Sequence, residues 1–201
     1  MATTQVFSTP IYFDERAGTS ELNSELATLI RKRAASEVSD DAFRAHQGGY
    51  YSDGEFFKNQ DPCIKTVGGV IREGLNHYFK DIGVADTIAN VALQAWVALT
   101  RAGDYQTPHI HRGANISGVY YVNMSSCEPP QGCIDFITPI DVQEATFLYG
   151  LARSHCRVVP RSGSLVIFPS YLRHFTHPFK SDDERICVVF NAFVEQRKRR
   201  P

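Results

Sequence analysis

The sequence lacks an apolar run near the length of about 18 residues that a membrane-spanning helix needs. Residues 1–10 carry neither the basic n-region nor the apolar h-region of a secretory signal. The five cysteines form no CxxC pair, and their odd number fits neither a disulfide framework nor a cysteine zinc site. These absences predict a cytoplasmic protein with reduced thiols.

The sequence also lacks an excess of charge of either sign. Its 21 basic and 22 acidic residues give a formal net charge of -1, so no nucleic-acid or membrane partner is expected. Strong basicity is confined to 197–200, which we interpret as a solvated tail. No internal repeat or low-complexity linker divides the chain, so one domain over 1–201 is predicted. A homo-oligomer is compatible with the sequence, which does not fix the oligomeric state.

Apolar residues make up 43% of the chain, enough to bury a core. The first third, 1–85, is predicted to be mostly helical. One helix is expected over 21–36, after an N-cap at Thr19 or Ser20. A second begins near Pro62 and stops by Gly83.

The pattern changes to short β-type runs after about residue 88. These runs are rich in β-branched and aromatic residues and are separated by Gly, Pro, Ser and Asn. They lie at 91–100, 116–122, 133–137, 155–159, 164–168 and 186–194. Parallel βαβ units would need helices that are missing, so we predict an antiparallel jelly-roll over 86–196, buttressed by the helices, with 197–201 as the tail.

Two histidines, His109 and His111, are separated by one residue. On an extended chain both side chains project to the same side, so both imidazoles can bind one metal ion. A pair of solvent-facing histidines on a loop is the alternative interpretation. This pair is the first candidate for chemistry in the sequence.

A third histidine and an arginine follow some distance along the chain. A glycine turn at Gly163 leads into a buried strand, a proline breaks it, and His174 opens the next strand. Arg185 then precedes an apolar strand. A buried guanidinium needs an anionic partner and grips a carboxylate in two places, whereas the alternative is a surface ion pair with the acidic residues at 182–184.

Four ordered motifs give the chain a resemblance to the 2-oxoglutarate/Fe(II)-dependent oxygenase superfamily, in a branch of small bacterial and phage proteins. They are H-x-H at 109–111, S-G-V-Y-Y at 117–121, G-x-L-x-x-F-P-S-x-L-x-H at 163–174 and R-x-x-x-x-F-N at 185–191. The likeness extends to the front half through 7–11 and 48–52. It implies a double-stranded β-helix that uses Fe(II) and 2-oxoglutarate.

The resemblance assigns metal ligands by position. His109 matches the first ligand of the family's triad and His174 the last. His111 holds the middle position, where most relatives have a carboxylate. Asp135 is a reserve carboxylate for that position, and otherwise an outward-facing strand residue.

The resemblance also assigns cosubstrate contacts. Arg185 matches the residue that pairs with the C5 carboxylate of 2-oxoglutarate, and the hydroxyl of Tyr120 or Tyr121 is expected to share it. Because successive side chains of a strand point to opposite faces, only one of these tyrosines can face the barrel. Asn191 is on the same strand face as Arg185 and is a candidate cofactor contact along the pocket, with ordinary core packing as the alternative.

Three further residues are considered near the site. Gln94 and Trp96 are candidates for the pocket wall, with ordinary core packing as the alternative. His177 is three residues from His174, so on a strand it points the other way and is predicted to be a bystander.

The implied activity is that of a dioxygenase, with hydroxylation of an unidentified small molecule or side chain by O2 coupled to decarboxylation of 2-oxoglutarate to succinate. A cupin-type metal enzyme is one alternative, because Gly103 precedes His109 and His111 at cupin spacing, although the expected glutamate is absent. A catalytically inert jelly-roll binding protein is the other. The loops 45–59, 125–131 and 141–153 are expected to recognise the substrate.

Overall fold

A computed structural model describes residues 8–40, 45–124, 128–139, 154–178 and 180–197. These residues form two α-helices, two short 3-10 helices and eleven strands. The helices are α1 (Ser20–Ser36) and α2 (Pro62–Asp81), with 3-10 turns at Phe56–Lys58 and Ala85–Thr87. The strands are β1 (Tyr12–Asp14), β2 (His46–Gln47), β3 (Tyr50–Tyr51), β4 (Ile88–Thr100), β5 (Tyr105–His109), β6 (Ile116–Asn123), β7 (Ile134–Ile137), β8 (His155–Val158), β9 (Leu165–Pro169), β10 (His174–Thr176) and β11 (Arg185–Gln196).

Both helices begin where the capping residues place them. The Thr19 hydroxyl accepts a hydrogen bond from the Leu22 amide at 3.3 Å, and the Asp61 carboxylate accepts one from the Cys63 amide at 3.0 Å. Pro62 takes the first position of α2, where its missing N–H costs nothing. Neither helix in the described ranges is long and apolar enough to cross a membrane.

The strands form two antiparallel sheets. One sheet has the order β1-β9-β6-β11-β4-β3, and the other has the order β2-β5-β10-β7-β8. All six β-type runs of the sequence correspond to strands, and the predicted jelly-roll with a helical layer is confirmed.

Two apolar layers follow from this arrangement. One fills the space between the helices and the outer face of the six-stranded sheet, and the other lies between the two sheets. Neighbouring residues of β6 divide between them: Tyr120 packs in the helix layer and Tyr121 between the sheets. Gly118 makes room for a ring, because an added Cβ would lie 2.3 Å from Cζ of Phe190.

The front third supplies three strands that the sequence analysis did not predict. β1 pairs with β9, β2 with β5, and β3 with β4. Each has two or three residues, too few to show an alternating pattern. Because β2 belongs to the five-stranded sheet and β3 to the six-stranded sheet, the segment between them crosses from one sheet to the other.

Candidate metal centre

The three predicted histidines lie together between the sheets. His109 is the last residue of β5, His111 lies two residues further along the chain, and His174 opens β10 opposite His109. One ring nitrogen of each lies within 4.8 Å of those of the other two. Their ring centroids are 4.3 to 5.4 Å apart.

Backbone carbonyls fix the orientation of two of the rings. Nδ1 of His109 lies 2.8 Å from the Thr107 carbonyl oxygen, and Nδ1 of His174 lies 2.9 Å from that of Leu172. Because a carbonyl oxygen only accepts, each Nδ1 must carry the proton and donate it. The lone pair of each neutral ring is then on Nε2, which is free to bind a metal.

Asn191 does the same for the third ring. Its Oδ1 lies 2.7 Å from Nδ1 of His111 and also accepts a hydrogen bond from the Ser117 hydroxyl at 2.8 Å. Ser117 in turn shares a 2.7 Å hydrogen bond with Ser170. Asn191 was predicted to lie along the pocket as a cofactor contact, whereas its side-chain oxygen accepts a hydrogen bond from His111.

The environment keeps the three imidazoles neutral. Burial lowers the pKa of His109, and it lowers the pKa of His111 to about 4. Burial and the neighbouring histidines hold the pKa of His174 well below its ordinary value. Neutral imidazoles bind a divalent metal without first losing a proton.

The donor set suits a first-row transition metal. Imidazole nitrogen is a ligand for iron, zinc, copper and nickel, whereas magnesium and calcium prefer oxygen. The aromatic rings of Phe168 and Phe136 lie 4.7 and 5.9 Å from the His174 ring and form an apolar wall beside it. The residues present therefore fit the Fe(II) that the resemblance implies.

Asp135, the reserve carboxylate, lies elsewhere. It is on the opposite face of β7 from Phe136, where Arg157 donates two hydrogen bonds to its carboxylate at 2.7 and 2.6 Å. His177 lies 3.0 Å from the same carboxylate. Asp135 is thus the outward-facing strand residue, although buried, and His177 points away from the histidine cluster as expected.

Arg185 lies inside the molecule at the start of β11. It is 5% exposed, and its Nε has no hydrogen-bond partner of standard geometry among the described residues. The surface ion pair does not form, since Arg185 is buried and Glu184 binds Arg31 and Arg101, each at 2.8 Å. A buried guanidinium without an acidic partner in the described ranges fits an anionic ligand.

The two tyrosines of β6 face opposite ways. Tyr121 lies between the sheets, and the guanidinium carbon of Arg185 is 5.2 Å from its ring centroid. Its hydroxyl makes no hydrogen bond of standard geometry within the described part of the chain. Tyr120 faces the helices and donates its hydroxyl to Asn23 at 2.6 Å. The placement of Tyr120 as a cosubstrate contact is therefore wrong.

A cavity of about 520 Å³ opens beside the metal centre. His109, His111 and Asn191 line it, together with Ala45, His46, Tyr51, Trp96, Gln106, Ile110 and Arg112. The Trp96 ring lies 5.7 Å from that of His111, which agrees with its predicted place in the wall. Gln94 lies instead beside Gly54 and the exposed surface.

His46 and Tyr51 both line this cavity, although no role was predicted for either of them from the sequence. The Gly48–Gly49 pair before two tyrosines was the available signal. Of the predicted substrate loops, 45–59 contributes these residues. Residues 125–127 and 140–153 lie outside the described ranges.

Comparisons with known proteins agree with this geometry. Residues 94–191, nearly half of the chain, match a family model described as "Putative 2OG-Fe(II) oxygenase". A search of curated proteins finds no significant match.

Three solved structures resemble the fold, and at these low identities they support the fold alone. A prolyl-4-hydroxylase from Pseudomonas putida has a TM-score of 0.64 at 17% identity, covering 94% of each chain. A prolyl hydroxylase from Trichoplax adhaerens, in complex with a hypoxia inducible factor peptide, has 0.66 at 14%, covering 91% of this chain and 83% of that one. HygX from Streptomyces hygroscopicus, with nickel and 2-oxoglutarate bound, has 0.60 at 11%, covering 92% and 83%.

The family model spans the strands that hold the three histidines, Tyr121, Arg185 and Asn191. Over this segment the chain is similar to the 2-oxoglutarate- and Fe(II)-dependent oxygenases.

Proposed function

We propose that the protein is an Fe(II)- and 2-oxoglutarate-dependent dioxygenase that hydroxylates a small molecule or an exposed side chain. The observation that carries this proposal is a buried guanidinium, Arg185, in the same interior as three neutral imidazoles with free Nε2 atoms. A metal site alone would fit a cupin or an inert barrel equally well. Neither alternative needs a buried cation beside a buried phenol.

The three histidines would hold Fe(II) through Nε2. His109 and His174 are fixed by backbone carbonyls, and His111 by Asn191. Three neutral ligands leave the ion's double positive charge uncompensated, which favours a cosubstrate that places an anionic group beside the metal. When bound, Fe(II) and 2-oxoglutarate supply oxidation of the substrate coupled to decarboxylation of the cosubstrate to succinate.

Arg185 and Tyr121 would bind the distal carboxylate of the cosubstrate. The guanidinium donates two parallel hydrogen bonds to a carboxylate, and the phenol adds a third donor. Burial raises the pKa of Tyr121, so its hydroxyl stays protonated and able to donate. These groups orient the cosubstrate, while the apolar wall beside His174 excludes water.

The substrate would enter through the cavity beside Trp96 and Arg112. The solved relatives include one in complex with a peptide fragment and one with hygromycin B, so the fold accommodates both macromolecular side chains and small molecules. We extend this range to the present chain and propose O2 as its second substrate. The cytoplasmic location expected from its thiols is part of the same proposal.

Uncoupled turnover tests the activity without knowledge of the substrate. Purified protein with Fe(II), ascorbate and 2-oxoglutarate in air is expected to release succinate slowly. Arg185→Met, which keeps an apolar stem and removes the guanidinium, is expected to raise the dissociation constant for 2-oxoglutarate by about 100-fold. A metal-loaded wild type that gives no heat with 2-oxoglutarate in calorimetry would exclude this function.

A matched pair of histidine variants tests the ligand set. His174→Ala is expected to abolish binding of Ni²⁺ in a titration, because it removes one of three ligands. His177→Ala is the control, since His177 contacts Asp135 on the outer face and leaves the centre intact. Equal loss in both variants would contradict the proposed ligand set.

A further inference from the structure

Four side chains form a row across four strands of the six-stranded sheet. Tyr51 is opposite Ala98 on β4, Ala98 is opposite Cys187 on β11, and Cys187 is opposite Tyr121 on β6. All four are at most 1% exposed and belong to the layer between the sheets. The row thus has a tyrosine at each end and two small residues between them.

Arg185 borders this row on the same face of the sheet. It precedes Cys187 by two residues on β11, so both side chains point into the space between the sheets. Burial raises the pKa of both Tyr51 and Tyr121, and the positive charge of Arg185 opposes that rise at each phenol. Both phenols therefore remain protonated, and the Tyr51 hydroxyl also interacts with the Gln106 side chain, which lines the same cavity.

Tyr51 comes from a segment outside 94–191, the part of the chain that matches the family model. Three strand spacings, about 14 Å, separate the backbone of Tyr51 from that of Tyr121. The small side chains of Ala98 and Cys187 leave space above the sheet between the two tyrosine rings. A carboxylate held by Arg185 therefore has one phenol on either side.

The corner that carries Tyr51 is built to hold it in place. Its ring stacks on His46 with centroids 3.8 Å apart and planes 13° from parallel. Gly48 and Gly49 turn the chain between the sheets with φ of 76° and 83°, a region that favours glycine. A Cβ at Gly48 would lie 2.0 Å from Oδ1 of Asp104.

Building on the proposed function, we propose that Tyr51 is a third binding residue for the distal carboxylate of 2-oxoglutarate. Its phenol closes the carboxylate site from the side opposite Tyr121, and the His46 stack holds the ring at that position. Tyr51 also lines the cavity beside His109 and His111. The front segment thus takes part in selecting a cosubstrate with a second carboxylate.

Calorimetric titration of Ni²⁺-loaded protein tests this role without turnover. Tyr51→Phe keeps the ring and its stack but removes the donor, so the dissociation constant for 2-oxoglutarate is expected to rise by about 10-fold. Tyr50→Phe is the matched control. Its hydroxyl donates to Glu37 at 2.6 Å on the helix side, so its loss should leave cosubstrate binding unchanged.

A second ligand separates direct contact from an indirect effect. 2-Oxopentanoate keeps the 2-oxo acid and chain length but has no distal carboxylate. It should bind more weakly than 2-oxoglutarate, and its dissociation constant should be the same in the wild type and in Tyr51→Phe. An equal loss for both ligands, or unchanged 2-oxoglutarate binding in Tyr51→Phe, overturns the role of Tyr51 alone. A wild type that does not bind 2-oxoglutarate overturns the proposed function as well.

Discussion

Asn191 connects the candidate metal ligand His111 to the strand that also carries Arg185. Its Oδ1 receives hydrogen bonds from His111 and Ser117 at 2.7 and 2.8 Å. Asn191→Ala leaves the His111 Nδ1–H without this acceptor and frees the ring to rotate. We expect metal affinity to fall by about 10- to 100-fold, measured by competition with a chromophoric chelator for Ni²⁺.

Ser117→Ala is the control for this change. It removes the other hydrogen bond to the same oxygen and leaves His111 with its acceptor, so a much smaller loss of affinity is expected. Wild-type affinity in Asn191→Ala would mean that the backbone alone orients His111.

For individual residues, the sequence predicted that side chains alternate between the two faces of a strand, but it did not predict which face points into the interior. The period of two established that only one of Tyr120 and Tyr121 faces the barrel. Which one depends on which face of β6 meets the second sheet, and that is a tertiary fact. The same holds for Asp135. Its position on the outer face depends on the pairing of β7 with β8, which places Arg157 beside it.

At the scale of elements, the contacts of Asp135 with Arg157 and His177 connect β7 to β8 and to the residue that follows β10. Burial raises the pKa of Asp135, but hydrogen bonds from Arg157 and His177 outweigh it, so the pKa lies below the ordinary 3.8. The ionised carboxylate therefore stabilises the fold above pH 3.8, and this contribution is lost as the pH falls through the lower folded-state pKa.

Asp135→Asn is expected to lower the free energy of unfolding at pH 7 by about 2 kcal/mol, since Arg157 and His177 are partly exposed. Urea unfolding across a pH series measures this, and the difference from the wild type should shrink toward about pH 3. Asp182→Asn, at an exposed position, should have no comparable effect. A difference that stays constant with pH would mean that charge is not the cause.

The elements themselves differ in how well the sequence predicted them. Both helices carry capping residues and a long apolar period, and these signals are local. β1, β2 and β3 have two or three residues each and form because longer strands are already available to pair with. Their existence follows from tertiary contacts, so local reasoning missed the segment that brings Tyr51 to the cavity.

For the whole molecule, metal binding should appear as stability, because the three histidines converge only in the folded chain. With free Ni²⁺ at 100 times its dissociation constant, mass action contributes about 2.7 kcal/mol. For a chain of this length that corresponds to a rise in Tm of about 5 to 10 °C, measured by scanning calorimetry. His111→Ala should show no such rise, and an unchanged wild-type Tm would contradict the site.

The overall architecture was predictable from the order of patterns, two helices and then many short strands. The convergence of His109 and His174 was predicted by resemblance, since 65 positions separate them and no local rule brings them together. The pairing of β5 with β10 produces it. The cavity was not predictable, because residues from the front third, β4, β5 and β11 line it together.

β11 follows every other strand of the two sheets along the chain, and it carries both Arg185 and Asn191. During synthesis on the ribosome, all three histidines therefore emerge before the group that orients one of them and the cation that would bind the cosubstrate. A nascent polypeptide lacking β11 therefore has the candidate metal ligands but not the arginine proposed to bind 2-oxoglutarate. On the proposed assignment, cosubstrate binding becomes possible only after β11 has been translated and has joined the sheet.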